Sequence, residues 1–435
     1  MIIYLADLSH DYLPARQFVP LGIGYLAAHT KSIFGERVEF HLFKSVDRLL
    51  DQCETQKPDL VGFANYTWNE KLNAFAGEKI KKKMPQIPIV MGGPNIAIEE
   101  EGISEFLEKY SFVDVYCIYN AEVSFSNIIQ HCLENPTKNS HIKMLRSTPI
   151  SGVYSVFEGK LVSAPSTETD KSLDFIPSPY LTGTLDPFLK EGFLPLLETN
   201  RGCPFACTFC VWGVAALDKI QQFSIDRVYR DLDYVTNFGV IFGQLIFVDA
   251  NFGILKRDVD IAKYIRKVYE DTSTFGGIEI YWSKSAQGHM VDIGRILGHL
   301  SNTYIAFQSL DDGVLDAIKR SNISVTRLVS LIARLKKYTH TTRTDILVGL
   351  PGESFDSHLD SLNKALSYGV NDILGGEVQL LPGSEMNTRE SRDKFGLGTK
   401  YRFFEGASGI YKGETIFELH EVIRKTNDMA ETEMI

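Results

Sequence analysis

The sequence predicts an α/β protein of two units: a doubly wound parallel sheet over residues 1–145 and a partial six-stranded parallel barrel over 191–400. Two observations carry this reading. Short apolar runs alternate with amphipathic stretches of helical period through both segments, the pattern of parallel strands joined by helical crossovers. Between the segments, over 146–190, that periodicity fades and Pro149, Pro165, Pro177, Pro179 and Pro187 punctuate the chain, which marks a linker.

In the first unit the spacing predicts strands at 2–5, 38–43, 60–63, 87–91 and 113–118, with helices at 21–34, 46–52, 72–84 and 124–133. The order is Rossmann-like, and ligands of such sheets sit at the carboxyl ends of the strands. A hairpin around Glu158-Gly159 is expected inside the linker. The second unit is expected to place strands at 193–197, 244–248, 279–283, 304–308, 344–348 and 373–379, with helices at 225–237, 258–270, 291–300, 326–338 and 355–368. This is a (β/α)6 barrel of TIM type, whose chemistry belongs to the carboxyl-end loops. The tail, 401–435, is expected to end in a helix from about residue 416.

A chain of 435 residues with 44% hydrophobic and 23% charged content suits two globular domains. It has no apolar run near the roughly 18 residues of a membrane span. Its start runs into Asp7 without a basic region, so a cytoplasmic protein is expected. The net charge of −10 argues against general nucleic-acid binding, which rests on many Lys and Arg contacts to phosphate. Lys79 and Lys81 to Lys83 read as the solvated face of a helix.

Cys53, Cys117 and Cys132 lie scattered in apolar or helical contexts and read as inert core thiols. Cys203, Cys207 and Cys210 differ: they fall within eight residues, on a loop with Gly202 and Pro204 directly after the first barrel strand. Three thiolates there can converge on one metal centre. A cubane iron–sulfur cluster normally takes four cysteines, and with no fourth nearby one iron would stay open to substrate or cofactor. A structural zinc site would close with four Cys or His ligands, but His141 and His289 are far off in sequence; a pure electron carrier would want a fourth cysteine.

The CxxxCxxC pattern, with Phe209 before the last cysteine, resembles the defining motif of the radical S-adenosylmethionine (SAM) superfamily. The resemblance implies that Cys203, Cys207 and Cys210 hold a 4Fe-4S cluster whose open iron chelates SAM. It further implies reductive cleavage to a 5′-deoxyadenosyl radical that abstracts hydrogen from the substrate, with an electron donor such as flavodoxin or ferredoxin. The resemblance extends along the barrel, where Phe209, Asn251, Ser283, Gln308 and Gly349-Leu350-Pro351 match segments that contact SAM. Ordinary strand-end capping is the plain alternative for Asn251, Ser283 and Gln308.

The first unit and the phrase Ile176-Pro177-Ser178-Pro179-Tyr180 resemble the subgroup with an N-terminal cobalamin-binding domain. That likeness implies cobalamin contacts from Tyr66, Thr67, Trp68, Asn69, Gly92, Gly93, Pro94, Asn120 and Glu122. Two departures stand out. The DxHxxG motif is absent, with His10 out of register in Asp7-Leu8-Ser9-His10-Asp11, so no protein imidazole is expected on cobalt. Tyr119-Asn120-Ala121-Glu122 replaces the usual acidic GEGE-like phrase. The expected activity is methyl transfer to an unactivated carbon. Rearrangement or oxidation without methylation, and a cofactor-binding sensor, are the alternatives. A methylthiotransferase acting on transfer RNA is set aside, because neither its N-terminal cluster cysteines nor its basic C-terminal module is present. No motif names the substrate.

Overall fold

The computed structural model describes residues 1–135, 137–165, 172–214, 217–283, 288–338 and 341–434. The first unit runs β1 (Ile2–Ala6), α1 (Leu21–Phe34), β2 (Glu39–Phe43), α2 (Val46–Thr55), β3 (Leu60–Ala64), α3 (Glu70–Lys83), β4 (Ile89–Gly92), α4 (Glu100–Lys109), β5 (Val115–Cys117), α5 (Glu122–Glu134) and α6 (His141–Ser147). β1 to β5 are parallel, in the order β2-β1-β3-β4-β5. Alternate side chains of each strand go to opposite faces. Tyr4, Ala6, Val61, Phe63, Ile89 and Met91 join one core with α2, α3 and α4, while Ile3, Leu5, Leu60 and Val90 join another with α1 and α5.

The segment expected to be a linker is divided between the two units. The predicted hairpin, β6 (Val153–Phe157) and β7 (Lys160–Ser163), pairs antiparallel on β5 and completes a seven-stranded sheet. Farther on, Ile176, Tyr180, Leu185, Phe188 and Leu189 enter the core of the second unit, and Phe188 and Leu189 lie on the short helix α7 (Asp186–Lys190).

The second unit contains β8 (Leu196–Leu197), the small antiparallel pair β9 (Asn200–Arg201) and β10 (Gln221–Gln222), α8 (Ile225–Thr236), β11 (Leu245–Phe252), α9 (Asp258–Thr272), β12 (Ile278–Trp282), α10 (Gly288–Leu297), β13 (Thr303–Tyr304), α11 (Asp312–Ala317), α12 (Val325–Leu335), β14 (Thr342–Val348), α13 (Phe355–Ser367) and β15 (Asp372–Glu377). Six strands follow one another as expected, but in two parallel sheets of three, β8-β11-β12 and β13-β14-β15. The fourth strand is shorter than its apolar run: past Tyr304 the Phe307 N–H donates to Thr344 Oγ1 at 3.2 Å and not to a backbone carbonyl of β14, and Gln308 takes φ +66°. Gln308 rejoins β14 only as a single bridge to Ile346.

After α14 (Arg389–Phe395) the tail departs from expectation. Where a helix was expected from about residue 416, the chain forms a long antiparallel hairpin, β16 (Gly398–Tyr411) and β17 (Glu414–Lys425). Lys412 and Gly413 both take positive φ, at +48° and +83°, as a two-residue hairpin turn requires. Pairing with ten residues of β16 then outweighs the helix propensity of Glu and Leu in β17.

The hairpin is fastened to the first unit by a buried carboxylate. Glu418 accepts from the backbone N–H groups of Lys71 and Leu72, both at 2.9 Å, at the start of α3, and meets His10 Nε2 at 3.2 Å. A helix N-terminus favours such an anion. Glu418→Ala should therefore lower the unfolding free energy by roughly 2–4 kcal/mol, with Glu418→Gln intermediate, as read by chemical denaturation of the full chain.

Candidate active site between the sheet edge and the cysteine loop

The cysteine loop leaves β9 through Gly202, at φ +95°, where a Cβ would stand 2.2 Å from the Lys219 carbonyl oxygen. Only glycine lets the two backbones approach so closely. The loop is then pinned from several sides: Cys203 N donates to Leu217 O (2.9 Å), Thr208 N to Ile318 O (3.1 Å), and Met386 N to Thr208 O (2.8 Å). Cys203 and Cys207 are buried and Cys210 is half-buried. The three thiols are not drawn in to the mutual spacing of metal ligands, yet all three act electrostatically on one guanidinium, that of Arg320.

Two side chains donate to the sulfurs. Asn251 Nδ2 lies 3.1 Å from Cys203 Sγ, and Arg320 Nη1 lies 3.7 Å from Cys207 Sγ. Asn251 ends β11 fully buried, and its Oδ1 has no partner among the described residues. An orphaned buried acceptor beside a sulfur is the kind of atom a bound ligand satisfies. The donors and the thiols suit an anionic cluster with sulfur ligands.

Asp249, two residues earlier on the same strand, holds the stem of the loop. Its carboxylate accepts from Thr199 N (2.7 Å), Thr199 Oγ1 (2.5 Å), Asn200 N (3.1 Å) and Asn200 Nδ2 (2.9 Å). Burial pushes the Asp249 carboxyl up to about 7, against these four donors, which favour its ionised form.

The other residues assigned to SAM contact spread along the barrel rim. Ser283 is buried, its N–H donating to Phe252 O at 2.9 Å. Gln308 is bonded to the Asp345 side chain, which also meets Tyr304. Phe209 and Leu350 pack in one apolar cluster with Met386, Met429 and Met434, and a Cβ on Gly349 would meet Met434 at 3.4 Å. Pro351 is buried next in line. The tail thus covers the fifth-strand segment.

On the first unit, Tyr66 and Trp68 are half-buried and stacked, with ring centroids 4.4 Å apart and planes within 6°. Asn69 is fully buried, its amide committed to Leu8 O and Ala64 O and its Oδ1 to Tyr66 N, so it shapes the loop that presents those rings. Gly93, at φ +129°, would place a Cβ 2.5 Å from Asn65 O, and a Cβ at Gly92 would stand 3.1 Å from Cys117 O. These glycines are thus explained by close backbone packing between β3, β4 and β5. A flat ligand is not needed to account for them. Pro94 is exposed, and its carbonyl faces Gly383 together with Val211, one residue past Cys210. Asn120 Nδ2 donates to Gln221 Oε1 at 2.7 Å, and Glu122 pairs with Arg201 Nη1 at 2.8 Å. Glu122 and Asn120 therefore lock the sheet edge to the stem of the cysteine loop. Thr67 and Asn95 line a cavity of about 630 Å³ together with Arg389, Tyr401 and His420. His10 is fully buried, with its two nitrogens on Tyr411 Oη and Glu418.

Three residues of this site escaped the motif reading. Arg201 stands two residues before Cys203 and Asp249 two before Asn251, but their roles depend on partners elsewhere in the chain. Arg320 is 113 residues from Cys207 and carries no local signal.

Asp249→Asn turns an acceptor oxygen into a donor facing N–H groups. It should cost roughly 2–4 kcal/mol in unfolding of the metal-free chain and should lower its iron uptake on reconstitution; denaturation and iron analysis check both.

Residues 197–365 match the Radical SAM superfamily. The cobalamin-dependent radical SAM methyltransferase TokK of Streptomyces tokunonensis is 29% identical over 385 residues, 86% of this chain and 54% of TokK. The 2-(S-pantetheinyl)-carbapenam-3-carboxylate methyltransferase of Streptantibioticus cattleyicolor is 28% identical over 392 residues, 87% of this chain and 55% of its own length. The chain thus spans about half the length of these curated relatives. Among solved structures, the radical SAM methyltransferase TsrM of Kitasatospora setae shares the fold with a TM-score of 0.68 at 14% identity, over 92% of this chain and 78% of TsrM. The cobalamin-dependent radical enzyme OxsB follows at 0.60 and 17%, over 83% of this chain and 51% of OxsB. Over residues 197–365 the chain matches the Radical SAM superfamily, and over most of its length it is similar to a cobalamin-dependent radical SAM methyltransferase.

Proposed function

We propose that this chain is a cobalamin-dependent radical SAM enzyme that transfers a methyl group to an unactivated carbon. The observation that carries the reading is the juxtaposition of two sites: the cysteine loop abuts the carboxyl edge of the first sheet, with Val211 and the Pro94 carbonyl both against Gly383 and Arg201 bonded to Glu122. When bound, a 4Fe-4S cluster, SAM and methylcobalamin together supply a 5′-deoxyadenosyl radical and a methyl group.

The residues present fit those groups. Cys203, Cys207 and Cys210 would hold the cluster, with Asn251 and Arg320 donating to the sulfurs. The unpartnered Oδ1 of Asn251 would accept from the amine of SAM, and Gly349 to Pro351 would flank its adenine. Tyr66 and Trp68 present stacked aromatic faces for the corrin, and the cavity beside Thr67 and Asn95 falls in the size range of small-molecule sites. Radical SAM enzymes need an electron donor; here a flavodoxin or ferredoxin would serve. No helix among the described residues is long and apolar enough to cross a membrane.

Burial pushes the thiols of Cys53, Cys117 and Cys132 up to about 12, which keeps them protonated and poor metal ligands. Anaerobic reconstitution should therefore yield about four irons and four sulfides per chain. Alanine at Cys203, Cys207 or Cys210 should remove them, and serine at Cys53, Cys117 or Cys132 should leave them unchanged. Zinc in place of iron in the metal assay would overturn the assignment.

Cobalamin should bind with no protein imidazole on cobalt, because both His10 nitrogens are occupied. Electron paramagnetic resonance of the cob(II)alamin form should lack nitrogen splitting from a histidine. Absence of cobalamin uptake in equilibrium dialysis would remove the methyl-transfer reading and leave the cluster assignment standing.

A further inference from the structure

Arg320 is a buried cation, with relative exposure of 4%, and no carboxylate pairs with it among the described residues. A buried charge in that position is costly unless an anion compensates it. Its surroundings hold it rigidly. Nε donates to Asn322 Oδ1 at 3.0 Å, Nη2 donates to Ala306 O, and Nη1 is left to point at Cys207 Sγ. Asn322 is itself tied to Phe307 O (3.1 Å) and Ser309 O (2.9 Å), so the guanidinium is fixed to the exit of the fourth barrel strand. Its backbone N–H donates to Leu315 O at 2.8 Å, just after the positive-φ residue Lys319, which closes α11. Burial lowers the pKa of the guanidinium, and Cys207, Cys210 and Cys203 all oppose that shift.

We infer that Arg320 is a positioning residue that sets the reduction potential of the cluster held by Cys203, Cys207 and Cys210. The inference rests on the cluster assignment proposed above. The oxidised cluster with its three thiolates carries a net negative charge, and one-electron reduction by the external donor adds another. A fixed cation with a hydrogen bond to one of the thiolates stabilises the reduced form over the oxidised one, since charge and hydrogen bonding at the sulfurs tune such potentials. Asn251 gives Cys203 a neutral donor only, so the larger effect belongs to Arg320. The same residue links the fourth-strand exit, where Gln308 holds its strained φ, to the metal site.

The test is a redox titration of the reconstituted full chain without SAM, followed by electron paramagnetic resonance. Wild-type iron and sulfide content and the spectrum of the reduced cluster check the cluster assignment by themselves. Arg320→Met and Arg320→Gln should retain iron and shift the midpoint to more negative potential. The ratio of reduced to oxidised cluster at the wild-type midpoint should fall about tenfold, which is about 59 mV for a one-electron couple. Arg320→Lys, which keeps the charge, should lie close to wild type. Loss of iron from both neutral variants while Arg320→Lys stays loaded overturns the inference, because the charge would then serve cluster assembly and not the potential. A loaded neutral variant with an unchanged midpoint overturns the inference, and so does loss of iron from Arg320→Lys, which would mean that shape and not charge is what Cys207 requires.

Discussion

The arrangement of this protein depends on one buried cation held between two carboxylates. Arg201 reaches Glu122 of the first unit at 2.8 Å and Glu198 of its own unit at 3.0 Å, with Tyr25 stacked under the guanidinium. Burial by itself would lower the Arg201 guanidinium; Glu122 and Glu198 outweigh it and raise it. Burial likewise raises Glu198, against Arg201. Such a cluster adds little stability relative to an apolar replacement, but removing one member leaves an uncompensated charge in the interior. Its contribution is therefore positional. The cysteine loop starts two residues after Arg201, so the register of that loop and the edge of the first sheet are set by the same contact.

The rest of the site follows from where strands end. Parallel α/β sheets present their carboxyl ends as one surface, and here two such surfaces face each other. Asp249 and Asn251 are neighbours on β11, and both side chains go to the cysteine segment: one braces its stem through four hydrogen bonds, the other meets Cys203. A site supported from a strand keeps its geometry better than one supported from a loop. Arg320 supplies the opposing support from beyond the fourth strand.

The C-terminal hairpin closes the assembly. Glu418 fastens it to α3, Tyr401 and His420 line the cavity beside the first sheet, and Met434 covers Gly349. One segment thereby touches the first unit, the cavity and the fifth barrel strand. A helix at the same position would not present a buried carboxylate to α3 and alternate side chains to the cavity, because only a strand sends successive residues to opposite sides.

The sequence by itself determined both α/β units, most of their strands and helices, and the cysteine loop. Periodicity is a local property, and the three cysteines lie within eight residues. The Glu158-Gly159 turn was legible for the same reason. Only the tertiary structure decided the remainder. The hairpin of 153–163 was visible, but its membership in the first sheet depends on β5 lying open beside it. β17 carried residues that favour a helix, and long-range pairing with β16 overrode them. Gly93 read as room for a ligand, and its reason lies in the backbone of Asn65. Glu122, Asp249 and Arg320 acquire their roles from groups 49 to 113 residues away. Burial and charge compensation are properties of the folded interior, and no local pattern encodes which distant group will fill it.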